Sequence, residues 1–308
     1  MTLALLIALV PIALLIAMGA WLRRSGFLAE GFWPQAERLG YYVLLPSLFL
    51  HGMATARLDG VPVQAMILAL VGSTLLVAAL LVGARAWVGG EDAAFTSVFQ
   101  GGVRFNNYVG VSAMVGLFGA QGVALAAVAN AAIVPTVNIL CVLVFARFGS
   151  GGRMPPAKVA RQVALNPLVL ACFAGISLHG LGIGLPAMVE PALRALGQAS
   201  LPLGLLCVGA ALELSAARRW LRPLAFSSFA KFLLMPLAAL LACHLCGLDG
   251  AAAVAVLVFQ ALPTASSSYI MARQLGGDAP LMAGIIACQT LLAALALPLA
   301  VASLLPII

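Results

Sequence analysis

Charge is what this sequence has least of. Acidic residues number 9 and basic residues 16 among 308, together 8% of the chain, while 64% of residues are hydrophobic and the mean hydropathy is +1.14. Ordinary soluble domains carry about 25% charged residues, so this composition excludes a water-soluble protein and assigns the chain to a bilayer. Aromatic residues are also sparse, at 7%. The strict alternation of lipid-facing strands is missing, which excludes an outer-membrane barrel. Six cysteines lie within or at the edge of apolar runs, where they act as small hydrophobes and imply no disulfide framework. The one suggestive cluster, Cys243-His244-Leu245-Cys246, offers ligands at the end of a single helix without a second set. No metal and no cofactor are expected. The net charge of +7 has a source in cytoplasmic loops and gives no reason to expect a nucleic-acid partner.

What the sequence has is long apolar runs. At roughly 25 to 30 residues per crossing, the length allows about ten or eleven transmembrane helices. The first run, 2–22, has no basic residue before it and Arg23-Arg24 after it, the reverse of a cleavable signal peptide. Gly, Pro and charge breaks place the others near 34–54, 62–86, 93–118, 122–146, 166–185, 189–213, 221–246, 251–274 and 280–306. These ten spans are numbered 1 to 10 here. With the N-terminus outside, the cytoplasmic side collects Arg23, Arg24, Arg38, Arg85, Arg147, Arg153, Lys158, Arg161, Arg218, Arg219, Arg222 and Arg273, against Arg57 and Arg194 on the other. That bias predicts an inner or plasma membrane location with both termini outside the cytoplasm.

The most hydrophilic stretch falls at mid-chain and reads as a basic linker, 147–165, between two five-helix halves, 1–146 and 166–308. The halves resemble each other. Pro11 and Pro167, Gly19 and Gly175, and Leu45-Pro46 and Leu201-Pro202 recur at a spacing of 156, and Val98-Phe99-Gln100 recurs as Val258-Phe259-Gln260 at 160. Five crossings is an odd number, so the second copy enters upside down. The expected fold is therefore an all-α polytopic membrane protein with an inverted five-plus-five repeat, a transporter architecture.

Two spans are poor continuous helices. Span 4 contains Gly101-Gly102-Val103-Arg104-Phe105-Asn106-Asn107-Tyr108, and span 9 contains Leu262-Pro263-Thr264-Ala265-Ser266-Ser267 in the matching place. Breaks at matched positions free carbonyls and aim half-helix N-termini at the midplane, where an anion is stabilised. Arg104 lies some ten residues inside its span and would cost about 3 kcal/mol there unless it faced water or a partner. Lys231 is a second buried cation, whose alternative is a structural lysine bonded to carbonyls. No Asp or Glu is placed at mid-depth. Glu213 ends span 7, and Asp59, Asp92, Asp249 and Asp278 fall in loops or at helix edges. Two central cations without a carboxylate suit a small organic anion better than a cation.

Around Arg104 and Lys231, the candidate site therefore comprises Asn106, Asn107, Tyr108, Pro263, Thr264, Ser266 and Ser267, with Asn130 and Gln289 on the spans that follow each break. The side-chain oxygens and amides can bond substrate oxygens or coordinate Na⁺. For Asn130 and Gln289, interhelical bonding is the competing reading. His51 and His179, near span ends, are solvated or proton-sensing. Motifs of hydrolytic enzymes, HExxH and GxSxG, and paired intramembrane aspartates are missing, so an enzyme is not expected.

The segment Phe99 to Gly110, the stretch Leu44-Leu45-Pro46-Ser47-Leu48, and the run from Leu262-Pro263 through Tyr269 to Gln274 resemble the auxin efflux carrier family, in its short bacterial branch that includes malonate carriers. The resemblance implies a fold shared with bile-acid sodium symporters. Helices 1, 2, 6 and 7 would form a scaffold and homodimer contact, and helices 3 to 5 and 8 to 10 a moving, elevator-like core whose crossed helices 4 and 9 hold the anion. Plant members have a proline between two asparagines in the helix-4 break. Here Arg104 and Asn106-Asn107 stand without one, which points to a mono- or dicarboxylate simpler than auxin. A sodium-coupled, bile-acid-type symporter is the alternative, and the coupling ion, Na⁺ or H⁺, is left open.

Overall fold

The structure is a computed structural model, and it describes residues 2–55, 60–88, 91–150, 155, 157, 160–161, 164–210, 221–265 and 267–304. The described residues are helical apart from turns and short connections, with no strand among them. Helix α1 spans Thr2–Arg24. Helices α2 (Phe32–Leu39) and α3 (Leu45–Thr55) are joined by a π-helical turn, Gly40–Leu44. Then come α4 (Val63–Gly83), α5 (Arg85–Val88), α6 (Asp92–Val103), α7 (Asn107–Phe148), α8 (Pro167–Gly180) and α9 (Glu190–Ala210). Helices α10 (Leu221–Phe229) and α11 (Met235–Cys246) flank a second π turn, Ala230–Leu234, and α12 (Gly250–Ala261), α13 (Ser267–Leu275) and α14 (Ala279–Leu304) complete the order.

Local chemistry accounts for the interruptions. Each π turn lies just ahead of a proline, Pro46 or Pro236. A proline cannot donate to the carbonyl four residues back and its ring crowds that carbonyl, so widening the preceding turn relieves both problems. Pro202 and Pro135 sit inside α9 and α7 without such a turn. Within α7, Gly119 takes φ 55° and ψ −127°, a conformation open mainly to glycine. This kink falls between the stretches predicted as spans 4 and 5. The linker 147–165 lies largely outside the described residues.

By length and composition, four helical stretches among the described residues can cross a membrane: Val63–Gly83, Asp92–Phe148, Glu190–Ala210 and Leu221–Cys246. Shorter apolar helices cover Leu170–Gly180, Gly250–Ala261 and Ala279–Ala293. The distribution of polarity is that of a protein solvated by lipid. Large apolar side chains such as Leu14, Leu68, Phe173, Leu245 and Leu295 stand exposed, while Gln100, Asn106, Asn130, Gln260 and Gln289 are buried. In water such an exposed apolar surface would drive association.

The interior is a packed apolar cluster running through α3, α4, α6, α7, α11, α12 and α14. Glycines set the closest approaches. A Cβ on Gly19 of α1 would strike the carbonyl of Leu206 on α9, and one on Gly209 would strike that of Ile16. Gly175 of α8 meets Leu50 and Met53 of α3 in the same way.

One end of the bundle is tied by connections between loops. Arg222 donates to the carbonyl of Trp87 at 2.8 Å, the Asp278 amide donates to Ala93 O at 3.2 Å, and the Ser150 amide donates to Gly276 O at 2.8 Å. Arg85 and Asp92 form an ion pair across the loop at 2.7 Å.

Candidate functional site

The two interrupted segments meet. Helix α6 ends at Val103 and Arg104 is extended, with φ −75° and ψ 159°. Helix α12 ends at Ala261 and Leu262 is likewise extended, with φ −66° and ψ 145°. Across the gap the Asn106 amide donates to Pro263 O at 2.8 Å. The Asn106 side chain accepts from the amides of Tyr108 (3.0 Å) and Val109 (3.2 Å), capping α7 and satisfying two N–H groups that a helix start otherwise leaves open. Phe105 and Phe259 pack edge to face at 5.7 Å beneath the crossing.

Gln289 ties the crossing together. Its Oε1 accepts from the Thr264 amide at 3.0 Å, and its Nε2 donates to Gly101 O and to Ser227 Oγ, each at 3.0 Å. One side chain thus substitutes for partners that both breaks have lost. Asn130, the corresponding residue in α7, donates to Ala126 O within its own helix, and its Oδ1 is buried without a partner.

Arg104 is 7% exposed. Its Nη1 donates to Asn138 Oδ1 (2.9 Å) and approaches Met271 Sδ (3.4 Å), and its Nη2 donates to Ser267 Oγ (3.0 Å). All three partners are neutral. The Nε is buried with no partner at all. The positive charge is therefore positioned and unopposed by any ion pair among the described residues. A planar guanidinium with open donors is the side chain best matched to a carboxylate.

This guanidinium lines a cavity of about 50 Å³, shared with Asn107, Tyr108, Asn138, Ala265 and Ser267 on the broken-helix side and with Glu37, Tyr41, Leu168, Gly204 and Cys207 on the other. Asn107 Oδ1 is also buried and unpartnered. The first residues of α7 and α13 both border the space, so two half-helix N-termini add partial positive charge to it.

Of the residues singled out from sequence, Arg104, Asn107, Tyr108 and Ser267 border the cavity. Asn106, Pro263, Thr264 and Gln289 build the crossing and do not line it, and Asn130 also lies away from it. Ser266 lies outside the described residues. Lys231, fully buried in the second π turn, is not among the lining residues, and its Nζ has no hydrogen-bond partner. The two cations do not share this cavity. His51 pairs with Glu190 at 3.3 Å, and His179 is exposed.

The sequence places no Asp or Glu at mid-depth, but a carboxylate near the start of the second predicted span, that of Glu37, borders the cavity. It lies only five residues beyond the start of α2, a place normally read as a solvated helix end. Its neighbours Trp33 and Ala36 are buried, so this end of α2 is covered by protein. Sequence reasoning also misses Asn138, although a lone asparagine deep in an apolar run, eight residues after Asn130, is a signal the sequence carries.

A helical, lipid-solvated bundle with a polar cavity at the meeting of two helix breaks defines an integral membrane protein of the transporter class. Comparison with known proteins agrees. Residues 4–301 match the family model of Mem_trans, described as "Membrane transport protein". The chain belongs to this family, that of the auxin efflux carriers. It is also 27% identical over 249 residues to a protein of Rhizobium meliloti (strain 1021) named "Putative malonate transporter", covering 76% of this chain and 75% of that one.

Proposed function

We propose that the protein is a secondary transporter of a small organic anion, a mono- or dicarboxylate of the size of malonate, working by alternating access in the plasma membrane. The observation that carries this reading is Arg104, whose guanidinium is hydrogen-bonded by neutral partners only and lines a cavity where two helix breaks meet. An unneutralised buried cation is unfavourable unless an anion visits it. The rhizobial relative's name agrees with the chemistry.

Alternating access in this reading comes from an inverted repeat of five spans, ten in all, with both termini outside. One packing relation supports the repeat. Gly19 abuts Leu206, and Gly175 abuts Leu50; adding 156 to the first glycine gives the second, and adding 156 to Leu50 gives Leu206. Reciprocal contacts of this kind are what an in-plane two-fold produces. The homodimer, with α1 to α3, α8 and α9 as scaffold, stands in the same reading as the family resemblance implies it.

The test is counterflow of radiolabelled malonate and other short carboxylates in proteoliposomes, with and without Na⁺. Saturable carboxylate exchange that Arg104→Ala suppresses is expected. Exchange confined to neutral or cationic compounds would overturn the reading, and dependence on Na⁺ would assign the coupling ion.

A further inference from the structure

Glu37 borders two cavities, not one. Besides the Arg104 cavity it lines a second, of about 190 Å³, together with Arg23, Glu30, Cys207, Tyr269 and Arg273. Cys207 is the other residue common to both. The boundary between a space opening toward the arginines at the helix ends and the space holding Arg104 is thus a carboxylate and a thiol. No hydrogen bond or ion pair engages the Glu37 carboxylate among the described residues.

Resting on the organic-anion reading above, we infer that Glu37 is a proton-binding site linked to the substrate site, its protonation raising the affinity of the Arg104 cavity for an anion. With both residues ionised the cavity holds one positive and one negative group, and an arriving carboxylate meets repulsion from Glu37 as well as attraction to Arg104. Protonation of Glu37 removes the repulsion and leaves the guanidinium unopposed. Linkage then requires the converse, that a bound anion favours the protonated acid. A proton and an anion move together, and neither needs a bond made or broken beyond the carboxyl O–H.

The groups facing Glu37 set the sign. Tyr41 lies one turn along on the same face and contributes a hydroxyl to the Arg104 cavity. Tyr108 of α7 and Cys207 of α9 stand across from it, neutral in their protonated forms. Arg23 of α1 and Arg273 of α13 supply positive charge from the second cavity, with Glu30 paired to Arg23 at 3.3 Å. None of the other groups at the boundary is a free carboxylate, so Glu37 is the acid whose loss removes the coupling. The arginines of the second cavity also give an incoming anion a favourable approach, with Glu37 at its inner limit.

The experiment is equilibrium binding of radiolabelled malonate, with a series of short mono- and dicarboxylates, to the purified full-length protein between about pH 5.5 and 8.5. Wild type, Glu37→Gln, Glu37→Asp and Arg104→Ala are compared, with folding checked by thermal unfolding. The ligand's own titration is common to all variants and cancels in the comparison. Wild-type affinity is expected to fall as pH rises, by up to about tenfold per unit, the limit for one linked proton. Glu37→Gln should bind at every pH as wild type does at low pH, and Glu37→Asp should restore a slope. In weakly buffered solution, proton uptake on binding should be lower in Glu37→Gln than in wild type. Equal pH slopes and equal proton uptake in wild type and Glu37→Gln, with Arg104-dependent binding intact, would overturn this inference and leave the anion reading standing. Failure of wild type to bind any carboxylate at any pH would overturn both.

Discussion

The amide of Asn106 donates to the carbonyl of Pro263 at 2.8 Å, so two helices that each lose their regular hydrogen bonding do so at one shared point. The break in α6–α7 is not a flaw tolerated beside a kinked neighbour. Each gap supplies a partner that the other lacks, which is what allows irregular backbone to exist inside a bilayer.

The Asn106 side chain carries the second half of that arrangement by capping α7. Replacing a capping Asn by Ala costs about 1 kcal/mol. Asn106→Ala should therefore lower the unfolding temperature in detergent, and Asn106→Ser, which keeps an acceptor at the cap, should recover most of it. Equal unfolding temperatures for the alanine and serine variants would show that the cap contributes nothing.

Arg104 supports a paired prediction. Hydrogen bonds to charged groups contribute about 1.5–3 kcal/mol, so Arg104→Ala should weaken carboxylate binding by roughly 10- to 100-fold. Asn138→Asp tests the same charge from the opposite side. It places a carboxylate where Asn138 Oδ1 now accepts from Nη1 at 2.9 Å, neutralising the guanidinium within the fold. Binding should fall at least as far as in Arg104→Ala, without the loss of stability that truncating a buried arginine brings. Unaltered affinity in Asn138→Asp, measured by the same binding assay, would remove Arg104 from the site.

Gln289 separates structure from function. It makes three hydrogen bonds to two breaks and to Ser227, and it does not line the cavity. Gln289→Leu leaves the Thr264 amide and the Gly101 carbonyl without that partner, at about 1–3 kcal/mol for each buried group left unsatisfied. A large drop in thermal stability is expected, with carboxylate affinity of the folded fraction changed far less than in Arg104→Ala. The reverse pattern would make Gln289 a ligand.

The breaks are legible in the sequence because Gly101-Gly102 and Pro263 are local signals, and Arg104 because a cation deep in an apolar run is costly unless it faces water or a partner. The distribution of roles around them is not legible. Asn106 and Asn107 are adjacent and chemically identical, yet one caps a helix and the other borders the cavity. That difference depends on the extended backbone of the break, at Arg104 and at Asn106 itself, whose dihedrals no sequence pattern specifies. Glu37 and Tyr41 are hidden for a different reason. Their helix end is covered by protein contributed from far along the chain, including Gly204 and Cys207, and pairing at such sequence separation leaves no periodic trace. Charge and depth alone group Lys231 with Arg104, and neither property says what direction a side chain takes around its helix.

The glycine contacts give a prediction that tests the architecture without any substrate. A Cβ on Gly19 has no room before the Leu206 carbonyl, and one on Gly175 would lie 2.9 Å from Leu50 O and 2.5 Å from Met53 Cβ. Backbone atoms on both sides mean that neither helix can yield by a rotamer change, and overpacking of this kind costs about 1–3 kcal/mol. Gly19→Ala and Gly175→Ala should each lower the unfolding temperature by comparable amounts, since the two contacts are alike in kind. Gly72 of α4 is exposed and a Cβ there meets nothing within 4 Å, so Gly72→Ala should be neutral or stabilising through its better helix propensity. A Gly175→Ala protein as stable as wild type beside a crippled Gly19→Ala would mean that the two helix pairs are packed differently, and would remove the best physical support for a repeat.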